Sequence, residues 1–301
     1  MNQYQSGIFE ENSIQFYYLE YRLNDSISVS LIKTVLTKAL LKKVEKLNIV
    51  IAFGKQAWNK LNPNWQPADL CDFETLNGVK GHSMPSTQND VFFWVHGENQ
   101  SDVFDQVLYI QEVMSSLAEL SLDLAGFNYR NNMDLFGFED GTANPKEDDR
   151  MLAALIPDGK LGAGGCYVLS QKWLHDLKAF NKMPDLEQGK VIGRTKYENV
   201  EMEGADMPEN SHISRTDLTI DGQAMKIYRR SDPFGNATEH GLYFLAFACE
   251  LRRLSSQLES MLGMTEDGIH DRLIEYSKAV ASSYWFAPSI TDLQNMLNND
   301  N

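Results

Sequence analysis

The sequence predicts an α+β protein with more than one core, and three observations lead there. Its 301 residues exceed what one small core organises, so length points to about two domains. Hydrophobic residues make up 43% and aromatic ones 11%, ample for packed interiors and too many for a disordered chain. Aromatic-rich strand signals alternate with long stretches of helical period, the pattern of helices set between antiparallel-type strands.

The elements follow in order. Ile14 to Leu23 (IQFYYLEYRL) suits a strand. Asn24-Asp25-Ser26 then opens a helix whose apolar stripe runs through Leu31, Ile32, Val35, Leu36, Ala39, Leu40 and Val44. Asn48 to Phe53 is a short strand closed by Gly54, and Ala57 to Leu61 adds a helical turn. Asp90 to His96 is another strand. Ser101 starts a long helix with Val103, Val107, Ile110, Met114, Leu117 and Leu120 on its apolar face. Gly137 to Arg150, rich in turn formers and charge, is the expected linker, dividing the chain into halves 1–145 and 146–301. In the second half Cys166 to Leu169 reads as a strand, followed by a helix starting near Lys172-Trp173-Leu174-His175. Met225 to Arg229 is strand-like, and Leu242 to Cys249 (LYFLAFAC), apolar on both faces, reads as a buried central strand. Leu251, Leu254, Leu258, Met261 and Leu262 form a helix face stopped by Gly263. Ile269 to Ser277 is a last short helix before a polar tail. No direct sequence repeat relates the halves, although both show a similar strand–helix order.

Charge and cysteine usage narrow the function classes. A net charge of −15 repels phosphate backbones and anionic headgroups, which excludes nucleic acid and membrane surfaces as expected partners. Cys71, Cys166 and Cys249 are odd in number and far apart, so neither a zinc ribbon nor a disulfide framework is supported. The first residues, Met1 to Asn12, carry no leader pattern, and no apolar run reaches spanning length, so a cytoplasmic, soluble protein is expected.

The informative stretch is Gly137-Phe138-Glu139-Asp140-Gly141-Thr142, where two glycines bracket a short-tethered aspartate in sharply turning backbone. Its acids fail the EF-hand spacing. Gly162, Gly164 and Gly165 precede their strand instead of following it, which rules out a dinucleotide loop. Downstream lie His212 in Asn210 to Arg215 and the run Arg229-Arg230-Ser231-Asp232-Pro233-Phe234-Gly235. An acid, a histidine and an arginine are the groups a haem peroxidase needs. Spacing alone does not separate His212 from His82, His96, His175, His240 and His270.

GFEDGTANP, GGCYVLSQKWLHDL, VIGRTK, SHISR, RRSDPFG, GLYFLAFAC and DRLIEYS together resemble the dye-decolourising (DyP-type) haem peroxidases, in particular the cytoplasmic subgroup without an export signal. The likeness covers most of the second half and the end of the first. It implies two ferredoxin-like halves with antiparallel sheets and peripheral helices, and haem b held mainly by the second. It singles out His212 as the axial iron ligand. Asp271 becomes the acid behind that imidazole, although a helix-start aspartate is an equal reading of the same residue. Asp140 becomes the proton shuttle for peroxide, and Arg229, four residues before the proline, the guanidinium that stabilises developing charge. Ser231 would hold peroxide or water, Gly141 and Thr142 would let backbone approach the porphyrin edge, and Arg194 would pair with a propionate or be an ordinary surface arginine. Arg230 is expected to be a surface or salt-bridge residue. Some relatives carry a glutamate where this chain has Ala143, so manganese oxidation is not expected. The implied partners are hydrogen peroxide and an organic reductant, a dye or phenol, with a homo-oligomer as the assembly. A haem-handling, iron-releasing protein and a cofactor-free ferredoxin-like dimer are the rival readings.

Overall fold

Period-two alternation of large apolar side chains along eight strand positions decides the architecture, because both faces of the sheet are covered. The computed structural model describes residues 3–130 and 132–298; residues 1, 2 and 299–301, the outer ends of the two expected halves, and Asn131 lie outside it. In the first half come β1 (Gln15–Leu23), α1 (Val29–Ala39), β2 (Asn48–Phe53), β3 (Val91–Gly97), α2 (Gln100–Met114) and β4 (Ala118–Phe127). Ser28 accepts from Leu31 N and Asn99 accepts from Ser101 N and Asp102 N, side-chain caps that start the two helices. In the second half come β5 (Cys166–His175), a short helix α3 (His212–Thr216) and an interrupted strand, β6 (Tyr228–Arg229) with β7 (Asp232–Gly235). β8 (His240–Ala248), α4 (Leu251–Met261) and β9 (Ser277–Ala287) complete it.

All pairings are antiparallel, in the order β4-β1-β3-β2 and β9-β5-β8-β7. Within each half that is fourth-first-third-second, the order of a ferredoxin-like β-α-β-β-α-β unit. The halves therefore share topology where no sequence repeat is visible. They join edge to edge through two thin seams, Phe53 opposite Phe286 and Gly126 opposite Phe234, and the eight strand positions close into a barrel. Side chains supply hydrogen bonds that the first seam's ladder lacks. Gln5 Nε2 donates to Ile51 O and Pro288 O, Gln5 Oε1 accepts from Ile51 N, and Gln88 bonds both backbone groups of Tyr284.

The barrel interior holds Tyr18, Phe92, Trp94, Tyr243, Phe247 and Trp285. Alternate residues of the same strands, such as Leu19, Tyr21, Phe93 and Leu169, face outward under the helices. Several sequence expectations change, among them the first helix, which ends at Ala39 and not at Val44. Lys172 to His175 do not begin a helix but continue β5, which pairs with β8 on one side and β9 on the other; pairing on both edges overrides local propensity. The long helix stops at Met114, and Leu120 belongs to β4. Ile269 to Ser277 contains only a 3₁₀ turn, Arg272–Glu275, and leads into β9, which the sequence reading missed. The expected linker ends in a helix, Glu147–Ala154, and the polar tail carries another, Ile290–Asn298.

Candidate active site

The outward faces of β5 and β8 pack against α4 over only part of their length. Between them opens a cleft with about 1520 Å³ of empty space, its mouth included. Leu169, Trp173 and Phe244 from the sheet and Leu254, Leu258 and Met261 from α4 give it apolar walls. Asp140, Gly141, Thr142, Arg194, His212 and Arg229 all line it, although they come from stretches far apart in the chain.

The acid loop is built by its glycines. Gly137 and Gly141 have φ of 88° and 80°, the left-handed region that bracketed turns require. Asp140 N donates to Asn132 O at 2.8 Å, and Gly141 N donates to Asp140 Oδ1 at 2.6 Å. A residue the sequence reading passed over then ties this loop to the arginine strand. Asn144 Nδ2 donates to Arg229 O at 2.8 Å and Asn144 Oδ1 accepts from Arg229 N at 2.9 Å. This two-way clamp fixes Asp140 and Arg229 in one frame.

Elsewhere Ser211 caps α3 by accepting from Ser214 N, and His212, the first residue of the helix, is in the cleft wall. His212 Nδ1 lies 2.6 Å from Asp271 Oδ2, which leaves Nε2 as the free ring nitrogen. Asp271 is fully buried, and its Oδ1 accepts from Leu273 N, so the carboxylate both starts its 3₁₀ turn and holds the imidazole. Both readings of Asp271 describe the same side chain.

Other groups are placed differently. Ser231 is not among the cleft-lining residues; its hydroxyl oxygen accepts from Leu245 N at 3.3 Å. The Arg194 guanidinium, at the cleft, is engaged by Asn199 Oδ1, Asn199 O and Glu201 Oε2. Arg230 is no surface ion-pair residue: it donates to Ile8 O and Glu10 O and lies 5.0 Å over the Trp94 ring. His175 stands on a strand in the cleft wall, with Nδ1 2.8 Å from Ser277 Oγ. Burial, with the His240 charge adding, pushes its pKa down to about 3, so it is neutral. Asp134, a cleft residue absent from the sequence reading, is pushed up to about 7 by burial. Backbone N–H groups of Phe138, Gly137 and Phe136 oppose the rise and Asp140 adds to it. Nothing in its local sequence marks it, since the burial comes from the fold.

Family models for the N-terminal and C-terminal parts of Dyp-type peroxidases match residues 22–128 and 131–292. The chain belongs to the Dyp-type peroxidase family. It is 33% identical over 248 residues to a dye-decolorizing peroxidase of Mycobacterium tuberculosis, covering 81% of this chain and 74% of that one. Among solved structures it resembles DyPB from Rhodococcus jostii with a TM-score of 0.90 at 31% identity, over 96% of this chain and 97% of that one. A dye-decolorizing protein from V. cholerae gives a TM-score of 0.89 at 34% identity, over 97% and 99%. A Rhodococcus jostii DypB variant in complex with heme gives 0.88 at 30%, over 94% and 96%. For a Dyp-type peroxidase the cleft has suitable parts: apolar walls for a flat macrocycle, and an imidazole whose second nitrogen is held by a buried carboxylate. Of the rival readings, the cofactor-free dimer and the haem-handling protein give way to the peroxidase.

Proposed function

We propose that this haem-dependent peroxidase divides its chemistry among His212, Asp140 and Arg229, with hydrogen peroxide as oxidant and dyes or phenols as reductants. The observation that carries the assignment is the His212–Asp271 bond of 2.6 Å, set in the same cleft as Asp140 and Arg229. Haem, when bound, supplies an iron centre that takes two oxidising equivalents from peroxide and returns them singly. His212 Nε2 would be the ligand to that iron, and Asp271 accepts the hydrogen bond from Nδ1–H, which fixes the tautomer and would raise the donor strength of the ring. Asp140 removes a proton from one peroxide oxygen and delivers it to the other. Arg229 stabilises the negative charge that develops as the O–O bond lengthens. Gly141 and Thr142 bring backbone to the cofactor edge. Arg194, already paired, and Ser231, bonded to Leu245 N, have lesser parts, in propionate binding and in holding peroxide or water.

The division into halves at 145/146, a cytoplasmic location and a homo-oligomer belong to the same reading. Three unpaired cysteines fit a reducing compartment. Among the described residues no helix is long and apolar enough to cross a membrane. The test is the absorption spectrum of protein expressed with haem supply. A Soret band lost in His212→Ala supports the ligand assignment. Peroxide-dependent oxidation of an anthraquinone dye, collapsing in Asp140→Ala and Arg229→Leu while the band persists, supports the other two. Full turnover in Arg229→Leu would remove that arginine from the mechanism.

A further inference from the structure

The barrel interior should hold only hydrocarbon if it were merely a core, yet two buried carboxylates sit there, each bonded to a tyrosine. Tyr18 donates from its hydroxyl to Asp232 Oδ2 at 2.7 Å, and Tyr243 donates to Glu20 Oε1 at 2.8 Å. The two rings stack on each other, with centroids 4.0 Å apart and planes 27° from parallel. Both phenols are fully buried, and Glu20 and Asp232 are 2% and 8% exposed. Glu20 also accepts from Asn89 Nδ2 and Ser170 Oγ, so its charge is supported on several sides. Strand alternation puts this cluster directly through the sheet from the cleft. Leu242 and Phe244, the neighbours of Tyr243, line the cleft, and Asp232 lies three residues from Arg229.

We propose that Tyr18 and Tyr243 form an internal redox reservoir, holding one oxidising equivalent inside the barrel until a reductant returns the electron. This rests on the cleft being where peroxide is reduced. One electron leaves Tyr18 for the oxidised cleft, and its phenolic proton passes to Asp232 Oδ2 when that carboxyl is in its ionised form, which is populated as pH approaches 8. An electron from Tyr243 then refills Tyr18, which recovers its proton from Asp232, while the Tyr243 proton crosses to Glu20 Oε1. The organic reductant of the peroxidase reaction, held at the cleft, finally sends one electron back along the same path, and Glu20 returns the proton. Every oxidation is matched by a proton acceptor already in hydrogen-bond contact, so no charge is stranded in the apolar interior. Burial raises the Glu20 carboxyl and pushes Asp232 up to about 8. For Asp232, Asp140 adds to the rise, and the Tyr18 hydrogen bond and the Arg230 charge oppose it. Asp232 is thus a carboxyl that exchanges its proton near neutrality. Phe92 lies between Tyr243 and Trp285, with ring centroids 6.4 and 5.5 Å away.

The test is the electron paramagnetic resonance spectrum of the haem-loaded protein, frozen after one equivalent of hydrogen peroxide without reductant. A radical signal narrowed by ring-deuterated tyrosine, and unaffected by a soluble gadolinium chelate, identifies a buried tyrosyl without any substitution. The double variant Tyr18→Phe/Tyr243→Phe should lose at least nine-tenths of it while keeping the Soret band. Glu20→Gln, which keeps the shape but takes up no proton, should confine the signal to Tyr18, a change that a purely structural role would not produce. A tyrosyl signal relaxed by gadolinium, or one that survives in the double variant, overturns the reservoir alone. Absence of a Soret band in the unsubstituted protein overturns it together with the assignment of the cleft.

Discussion

Asp140 and Arg229 reach the cleft from segments 89 positions apart, and the Asn144 side chain holds their backbones together through two hydrogen bonds. Replacing Asp140 by Ala removes the proton carrier, so kcat/KM for peroxide should fall roughly 10²–10⁴-fold with the Soret band retained. Asn144→Ala keeps every reacting group but frees the frame. Losing bonds of about 1 kcal/mol each should lower the same constant by about tenfold, read in stopped-flow peroxide traces. Asp271→Asn still caps Leu273 N but donates less electron density through His212, so the reduction potential of the bound iron should rise in spectroelectrochemical titration. At this scale the sequence was most legible. The glycines at 137 and 141 were read as turn makers and both have left-handed φ. Asn144 and Asp134 were invisible because their roles lie in partners, not in their own chemistry.

Among elements, strands were legible wherever an aromatic or β-branched run stood alone, as in β1, β2, β3 and β8. β4, the second half of β5 and β9 were not. Leu120, Leu122 and Leu124 alternate, but they follow a helix closely enough to extend its stripe, and pairing with β1 decides the matter. The seams carry their own prediction. Gln5 is 3% exposed and satisfies three backbone groups across the β2–β9 junction. Gln5→Ala should cost at least roughly 1–3 kcal/mol, seen as a lower denaturant midpoint with unchanged m-value. An unaltered midpoint would mean that the ladder closes without the glutamine.

For the whole molecule, closing eight strand positions around an aromatic core forces Asp232 out of water. Its pKa rises from the model-peptide value of 3.8 to about 8. Between those values the folded state binds more protons than the unfolded one. The contribution is therefore complete below about 4 and is lost as pH rises toward 8. Going from pH 6 to 8.5 should remove on the order of 2 kcal/mol of stability, visible as a falling thermal midpoint. Asp232→Asn, neutral throughout, should flatten that slope; an equal slope in the variant would mean that another group carries the linkage.

By itself the sequence determined what is local: charge, helix stripes, isolated strands, turn glycines and the short ordered motifs that carry the family likeness. Each rests on neighbours within a few positions, so each is written in the order of residues. Tertiary structure alone decided the closure of two halves into one barrel, the pairing that turned an expected helix into β5, and the burial that perturbs Asp134, His175 and Asp232. Those depend on which strands meet and which side chains lose water, and such contacts form between residues tens to hundreds of positions apart.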